Sequence, residues 1–106
     1  MYRLLIVDDE RHIVNWLLSL FSALTDIDLD LYAAYSAEQA LDILDRTKMD
    51  IVFSDICMPG LSGFDLADRI QQNWPASRLI FLTGFQDFQF AYKANQYDFA
   101  SYLLKT

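Results

Sequence analysis

The sequence has few residues that interrupt or cross-link a fold, and it has no long apolar segment. Its 106 residues include three glycines, two prolines and one cysteine, Cys57. A single cysteine excludes an internal disulfide, and 54% hydrophobic residues argue against a disordered chain. The longest apolar stretch, Ile13–Leu24, is broken by polar residues and is shorter than the ~18 residues that a membrane span needs. We therefore expect one small globular domain without a membrane segment.

Basic residues are also scarce. The chain has 8 of them against 15 acidic residues, which gives a formal charge of -7. This excess repels nucleic acid and anionic lipid, so the domain is not expected to bind DNA by itself. Only four apolar residues, Leu4–Val7, precede the first acids, and this pattern does not fit a signal peptide. Together with the lone thiol, these features predict a soluble, cytoplasmic protein.

Short apolar runs alternate with helical periods along the chain. The runs predict five strands, at Arg3–Val7, Leu29–Tyr35, Ile51–Phe53, Leu79–Leu82 and Ala100–Leu104. The helical periods cover Glu10–Leu24, a segment after Ser36, Ser62–Asn73 and Asp87–Gln96. The predicted helix caps are Asp9, Ser36 with Gln39 in a capping box, and Ser62. The alternation predicts βαβ units, a mainly parallel sheet and helices on both faces.

The first helix is expected to bury one apolar face. The residues of that face recur at three- and four-residue spacing: Ile13, Trp16, Leu17, Leu20, Phe21 and Leu24.

Polar side chains stand where the predicted strands end. They are Asp8 and Asp9 after the first strand, Asp55 after the third, Thr83 after the fourth and Lys105 after the fifth. Ligands of open parallel sheets bind at that edge, so these residues are expected to meet. Three neighbouring carboxylates repel one another and require a cation, and a set of oxygen ligands favours Mg²⁺. A hydroxyl and a lysine beside them suit a phosphoryl group, so the site predicts phosphoryl transfer to an aspartate.

Four motifs occur in chain order at these strand ends. They are Ile6-Val7-Asp8-Asp9-Glu10, Asp55-Ile56-Cys57-Met58-Pro59-Gly60 with Gly63, Thr83-Gly84, and Tyr102-Leu103-Leu104-Lys105. Together they resemble the receiver domain of bacterial two-component response regulators over the whole chain. The resemblance implies an α/β fold of the flavodoxin-like, doubly wound type, with five parallel strands in the order 2-1-3-4-5.

The resemblance also implies roles for the acidic residues. Asp55 corresponds to the phosphoacceptor. Asp9, Asp55 and the backbone carbonyl of Cys57 would bind Mg²⁺, and Asp8 would hold the metal or a water bound to it. Such a domain accepts a phosphoryl group and takes part in its own phosphorylation and dephosphorylation, but it is not an enzyme acting on a separate substrate.

Three further residues match the switch of this family. Thr83 and Lys105 would contact the phosphoryl group, and Thr83 with Tyr102 would form the switch pair. The resemblance implies a sensor histidine kinase as partner and a transcriptional output domain as the controlled element.

The chain departs from the family pattern at its end. The family lysine is usually followed by proline, whereas Lys105 is followed by Thr106. Receivers usually continue into a fifth helix, which this sequence does not contain. We therefore expect a receiver domain over residues 1–106 that is truncated at its C-terminus, with its effector domain absent and one sheet face lacking its usual cover.

Aromatic residues are concentrated near the C-terminus. Seven of the 16 lie in the last 22 residues: Phe85, Phe88, Phe90, Tyr92, Tyr97, Phe99 and Tyr102. They either pack the fourth helix on the sheet or anchor a homodimer through the face of the fourth helix and fifth strand. The segment Thr83–Phe88, followed by Ala91 and by Tyr102–Thr106, also resembles receivers fused to an AraC-type helix-turn-helix domain.

Other functions share parts of this pattern. An aspartyl-nucleophile phosphatase usually has a second acid two residues after the nucleophile, where this chain has Cys57. A flavodoxin-like electron carrier needs a phosphate loop where this chain has Asp8-Asp9-Glu10. A receiver-like module that dimerises or binds partners without phosphorylation remains open.

Overall fold

The structure is a computed structural model and describes residues 1–83 and 100–104. Its elements are β1 (Tyr2–Val7), α1 (Arg11–Ser22), β2 (Leu29–Ala34), α2 (Ala37–Arg46), β3 (Ile51–Asp55), α3 (Gly63–Asn73), β4 (Arg78–Thr83) and β5 (Ala100–Leu104). The strands pair in parallel in the order β2-β1-β3-β4-β5. The predicted α/β fold and the order 2-1-3-4 are thereby confirmed. The predicted helix over Asp87–Gln96 lies outside the described residues.

The strands of the sheet alternate their side chains between two core clusters. Leu5 and Val7 of β1 face α2 and α3, where Ala40, Leu44 and Ile70 complete a buried cluster. Leu4 and Ile6 point to the other face, where they meet Val14 and Leu17 of α1. Successive residues of a strand point to opposite faces, and both faces of this sheet are apolar because helices cover both.

The buried face of α1 is narrower than its sequence predicts. Val14 and Leu17 are buried, but Trp16, Leu20 and Leu24 are 40%, 48% and 47% exposed. Trp16 and Leu20 lie one turn apart along α1, whereas Leu24 lies beyond the C-cap, Ala23. The prediction that these three are buried was wrong: the apolar period of α1 is wider than the strip that the sheet covers, and the helix ends before Leu24.

Helix capping agrees with the sequence at two of three sites. Ser36 Oγ accepts a hydrogen bond from the Gln39 N–H, although Gln39 Oε1 accepts from Tyr35 N–H instead of completing the box on Ser36. Ser62 and Asp65 form a full capping box on α3.

The predicted Asp9 cap of α1 was wrong. Glu10 occupies the N-cap position and makes no side-chain cap hydrogen bond. The Glu10 N–H is instead bound by Asp8 Oδ1 at 2.9 Å, because the chain leaves β1 in a turn that brings the carboxylate of Asp8 over it.

The edge at which the strands begin, here called the amino edge, is held together by Asp50. Its Oδ2 accepts the Arg3 N–H at 2.7 Å, its N–H donates to the Arg3 carbonyl, and its carbonyl accepts from Arg78 N–H. Ser77 Oγ donates to the Met49 carbonyl at 2.6 Å nearby. These bonds tie the starts of β1, β3 and β4 together.

An apolar cavity of about 270 Å³ opens beside the C-terminal end of α1. It is lined by Tyr2, Leu4, Phe21, Leu24, Ile27, Leu29, Ile51 and Phe53. It lies on the sheet face that carries α1. Within the described ranges, no helix has the length and apolar character to cross a membrane.

Candidate metal centre

Three aspartates meet at the edge where the strands end, here called the carboxyl edge. Asp8 and Asp9 follow β1, and Asp55 is the last residue of β3. β1 and β3 are neighbours, with Val7 paired to Ser54, so Asp8 and Asp55 are the next residues along adjacent strands. One carboxylate oxygen from each acid lies within 4.8 Å of the others. The structure therefore brings together the three acids that the sequence places at strand ends.

The burial of these acids makes their charge costly. Asp8 is 0% and Asp55 is 3% exposed, whereas Asp9 is exposed. Two buried carboxylates this close repel each other by roughly a few kcal/mol at an effective dielectric constant of about 20. A divalent cation removes that repulsion, and a site made of carboxylate oxygens matches the ligand preference of Mg²⁺. The donor set thus fits a magnesium ion.

The loop after Asp55 is shaped by two glycines. Gly60 has φ +80°, in the left-handed region that favours glycine. The Gly63 N–H donates to the Ile56 carbonyl at 2.8 Å, and a Cβ on Gly63 would lie only 2.1 Å from the Asp55 carbonyl oxygen. Glycine at 63 therefore lets α3 start directly against the backbone that carries Asp55. Sequence reasoning used these glycines as motif positions and missed this contact.

The structure describes some of the remaining predicted site residues fully, others only by their backbone, and one not at all. Cys57 is exposed in the loop two residues after Asp55, and the role of its carbonyl stays a prediction. The backbone of Thr83 ends β4 and pairs with Leu104 of β5, while Tyr102 pairs with Phe81. Lys105 lies outside the described residues, as do the other clustered aromatics.

A cation–π contact that the sequence did not predict lies at the same edge. The guanidinium carbon of Arg11 sits 4.2 Å from the centroid of the Tyr35 ring. Arg11 is the first residue of α1, and Tyr35 directly follows β2. The two residues are distant in sequence, and only the pairing of β1 with β2 brings them together. The sole signal in the sequence is a basic residue beside the acids and an aromatic one after a strand.

Comparison with known proteins gives consistent matches. The family model of the response regulator receiver domain matches residues 4–106. The transcriptional regulatory protein YesN of Bacillus subtilis is 30% identical over 105 residues, which cover 99% of this chain and 28% of YesN. The chain spans less than half the length of the first curated relatives it matches.

Solved structures share the fold at similar identity. The response regulator TrrA of Thermotoga maritima, in complex with Mg²⁺-BeF, is 27% identical with a TM-score of 0.86, over 100% of this chain and 88% of that one. A two component transcriptional regulator AraC of Clostridium phytofermentans is 27% identical with a TM-score of 0.84, over 99% of this chain and 81% of that one. Because the family model matches nearly the whole sequence and the sheet order and clustered acids agree with it, this chain belongs to the response regulator receiver domain family of two-component systems.

Proposed function

We propose that this receiver domain accepts a phosphoryl group on Asp55 from a sensor histidine kinase, in the presence of Mg²⁺. The observation that carries the proposal is the convergence of Asp8, Asp9 and Asp55 within 4.8 Å at the carboxyl edge. Two of these acids are buried, which is an arrangement that a bound cation stabilises. The TrrA complex with Mg²⁺-BeF supports the same use of the site in a relative.

The residues suited to bind Mg²⁺ are Asp8, Asp9 and Asp55, with the Cys57 carbonyl as a fourth donor. When bound, the ion supplies positive charge that neutralises the acids and the oxygens of an incoming phosphoryl group. Mg²⁺ binds through one or two carboxylates and phosphate oxygens, and it keeps several waters. One oxygen of Asp55 then remains available as the nucleophile.

The transfer itself exchanges one bond to phosphorus for another. A carboxylate oxygen of Asp55 attacks the phosphorus of a phosphohistidine, and the bond from phosphorus to the ring nitrogen breaks. The leaving electron pair stays on that nitrogen, so the histidine returns to the kinase as a neutral imidazole once its protons re-equilibrate with solvent. Asp55 becomes an acyl phosphate. Its position at the end of β3, with Gly63 packed against its carbonyl, fixes the nucleophile for this attack.

Thr83 and Lys105 bind the new phosphoryl oxygens in this proposal, and Thr83 with Tyr102 transmits the change. Thr83 ends the strand next to β3, and β5, which carries Tyr102, is the next strand beyond it. The role of Lys105, the residue after β5 in the sequence, belongs to the same proposal. The added negative charge biases a two-state element built from these residues and the fourth helix.

The output is proposed to be transcriptional control by an effector domain outside these 106 residues, of the AraC type. The lengths of the relatives support this, because the chain spans only 28% of the transcriptional regulatory protein YesN. The likeness to the AraC-type regulator of Clostridium phytofermentans supports the type of effector. Phosphorylation would promote homodimerisation through the face of the fourth helix and β5.

The decisive experiment is labelling of Asp55 by a small phosphodonor. Incubation with acetyl phosphate and Mg²⁺ should add one phosphoryl group to the wild-type chain by mass spectrometry. Asp55→Asn should abolish the adduct, because an amide is not a nucleophile here, and EDTA should do the same to the wild type. Asp45→Asn, which changes an exposed acid of α2, is the matched control and should label like the wild type.

Undiminished labelling of Asp55→Asn would refute the acceptor assignment. The output model has a separate test in sedimentation velocity with and without beryllofluoride and Mg²⁺. A shift from monomer to dimer on adding both supports a phosphorylation switch. The same association state in both conditions favours the phosphorylation-independent interaction module.

A further inference from the structure

Arg11, two residues after Asp9, stacks on an aromatic ring at the carboxyl edge. Its guanidinium lies 4.2 Å from the centroid of the Tyr35 ring. Tyr35 is itself anchored, because its N–H donates to Gln39 Oε1 at 2.8 Å and its ring packs against the core cluster beneath α1. A guanidinium stacked on an anchored ring loses little further freedom when it binds a ligand.

The backbone places this contact beside the three acids. The Asp8 N–H donates to the Ala34 carbonyl at 3.2 Å, so Tyr35, the next residue, continues alongside the Asp8-Asp9 turn. Arg11 comes two residues after Asp9 and begins α1. The stacked cation therefore lies on the same rim as the carboxylates.

Arg11 is exposed, and in the portion of the chain that the structure describes it forms no ion pair. The other basic residues of that portion lie toward the amino edge or along α3: Arg3, Arg46, Lys48, Arg69 and Arg78. Two of them, Arg3 and Arg46, face Asp30 and Asp42 respectively. Among the described residues, Arg11 is thus the one arginine or lysine at the carboxyl edge, and its guanidinium faces a ring rather than a carboxylate.

A positive charge at this edge favours the approach of an anion, in addition to the charge that Mg²⁺ would supply. A phosphoryl donor carries negative charge toward three carboxylates in a domain of net charge -7. A fixed positive charge at the rim raises the local concentration of the donor, and a guanidinium matches the oxygens of a phosphoryl group with paired donors. Sequence spacing could not reveal this role, because the ring that holds Arg11 lies 24 residues later in the chain, directly after β2.

We propose that Arg11, stacked on Tyr35, is a positioning residue that attracts and orients the phosphoryl group of the donor at the entrance to the acidic site. The proposal rests on the proposed function of Asp55 as acceptor and deepens it. Phosphohistidine and small phosphodonors share the phosphoryl group that Arg11 recognises. The role is to guide the donor and does not include bond making or breaking.

The test compares two variants that remove the same charge from different places. Arg11→Gln should lower the second-order rate constant of Asp55 labelling by acetyl phosphate roughly threefold to tenfold at low ionic strength. Arg46→Gln, at the far end of α2, should label within twofold of the wild type. Arg11→Lys keeps the charge but not the paired donors, so it should retain only part of the rate, and Tyr35→Leu should also give an intermediate loss because the cation is no longer held.

Two readouts separate this role from a purely structural one. Added salt should slow wild-type labelling and should have a smaller effect on Arg11→Gln. Mg²⁺ affinity, measured by calorimetry, should be unchanged or tighter in Arg11→Gln, because a neighbouring positive charge is gone. A distorted site would instead bind Mg²⁺ more weakly, and that result would overturn the proposal.

A second donor tests whether Arg11 recognises the shared phosphoryl group. Phosphoramidate contains the phosphorus–nitrogen bond of phosphohistidine and no acetyl group, so its labelling rate should also fall in Arg11→Gln. A loss confined to acetyl phosphate would contradict the proposal. If the wild type is labelled and Arg11→Gln is labelled at the same rate, the role of Arg11 is refuted and the function of Asp55 is not. If the wild type is not labelled by the donor in the presence of Mg²⁺, the function of Asp55 is refuted.

Discussion

Aspartates lie at both edges of the sheet, and the two edges use them in opposite ways. At the amino edge, the Asp50 carboxylate accepts a hydrogen bond from the Arg3 N–H, and the Asp50 backbone forms hydrogen bonds with the backbones of Arg3 and Arg78. At the carboxyl edge, oxygens of Asp8, Asp9 and Asp55 converge within 4.8 Å of one another. The first arrangement joins strands, and the second concentrates negative charge at one point.

This difference separates stability from function within one sheet. A carboxylate that accepts a backbone N–H stabilises the fold, typically by about 1–3 kcal/mol. Clustered carboxylates destabilise the metal-free fold and create affinity for a cation. The same residue type therefore contributes to folding at one edge and to binding at the other. Variants of the acid at the amino edge should lower stability and leave Mg²⁺ affinity unchanged, whereas variants of the clustered acids should lower Mg²⁺ affinity.

The largest effect is expected where the carboxyl edge depends on backbone contact. Gly63→Ala places a Cβ where 2.1 Å would separate it from the Asp55 carbonyl oxygen, so β3 and α3 must move apart. We expect a loss of roughly 2–4 kcal/mol in unfolding free energy by urea denaturation, and slower labelling of Asp55. Gly60→Ala is the control, since its strain is near 1 kcal/mol and it meets only the mobile end of Glu38. Equal losses in both variants would argue against the special role of Gly63.

Neutralising one acid of the cluster should show the conflict between charge and stability. Asp9→Asn should weaken Mg²⁺ binding at least about tenfold in calorimetry, because a ligand of the predicted site loses its charge. In EDTA the same variant should unfold at a slightly higher temperature than the wild type, because repulsion falls. Asp45→Asn should change neither property. A destabilised Asp9→Asn in EDTA would show that the cluster is not under repulsion.

The amino edge should respond in the reverse manner. Asp50→Ala removes the hydrogen bond to Arg3 N–H, so we expect a loss of about 1–2 kcal/mol in unfolding free energy. Mg²⁺ affinity should remain that of the wild type, since Asp50 lies at the opposite end of β3. Asp50→Asn keeps an acceptor oxygen and should recover part of the stability. A change in Mg²⁺ affinity in the folded Asp50→Ala variant would show that the edges are coupled.

The smallest effect is expected at an exposed ion pair of the amino edge. Arg3 and Asp30 approach to 3.8 Å with side chains that are 40% and 43% exposed. Solvent screens such a pair, so Asp30→Asn should change the unfolding free energy by no more than about 0.5 kcal/mol. Thermal denaturation at low and high salt would measure it. A larger loss would mean that the pair supports the Asp50 connection.

Much of the fold followed from local patterns. The alternation of short apolar runs and helical periods predicted β1 through β4, and the Ser62 cap agrees in detail with the sequence. The exposure of Trp16 and Leu20 did not follow, because a helical period shows which residues are apolar and not how much of that face the sheet covers. The exposure of Leu24 did not follow either, because the helix ends before it. The predicted Asp9 cap was wrong because the turn after β1 also depends on the tertiary structure. In that turn the Glu10 N–H donates to the Asp8 carboxylate.

The candidate site also has features that local sequence patterns predicted and features that they did not. The sequence by itself determined that acids end the first and third strands, because strand ends are marked by local changes from apolar to polar residues. Only the tertiary structure decided that these acids lie within 4.8 Å, that Gly63 must approach the Asp55 carbonyl, and that Tyr35 holds Arg11. These contacts join residues far apart in the chain, and their distances depend on strand register and helix packing, which no local pattern encodes.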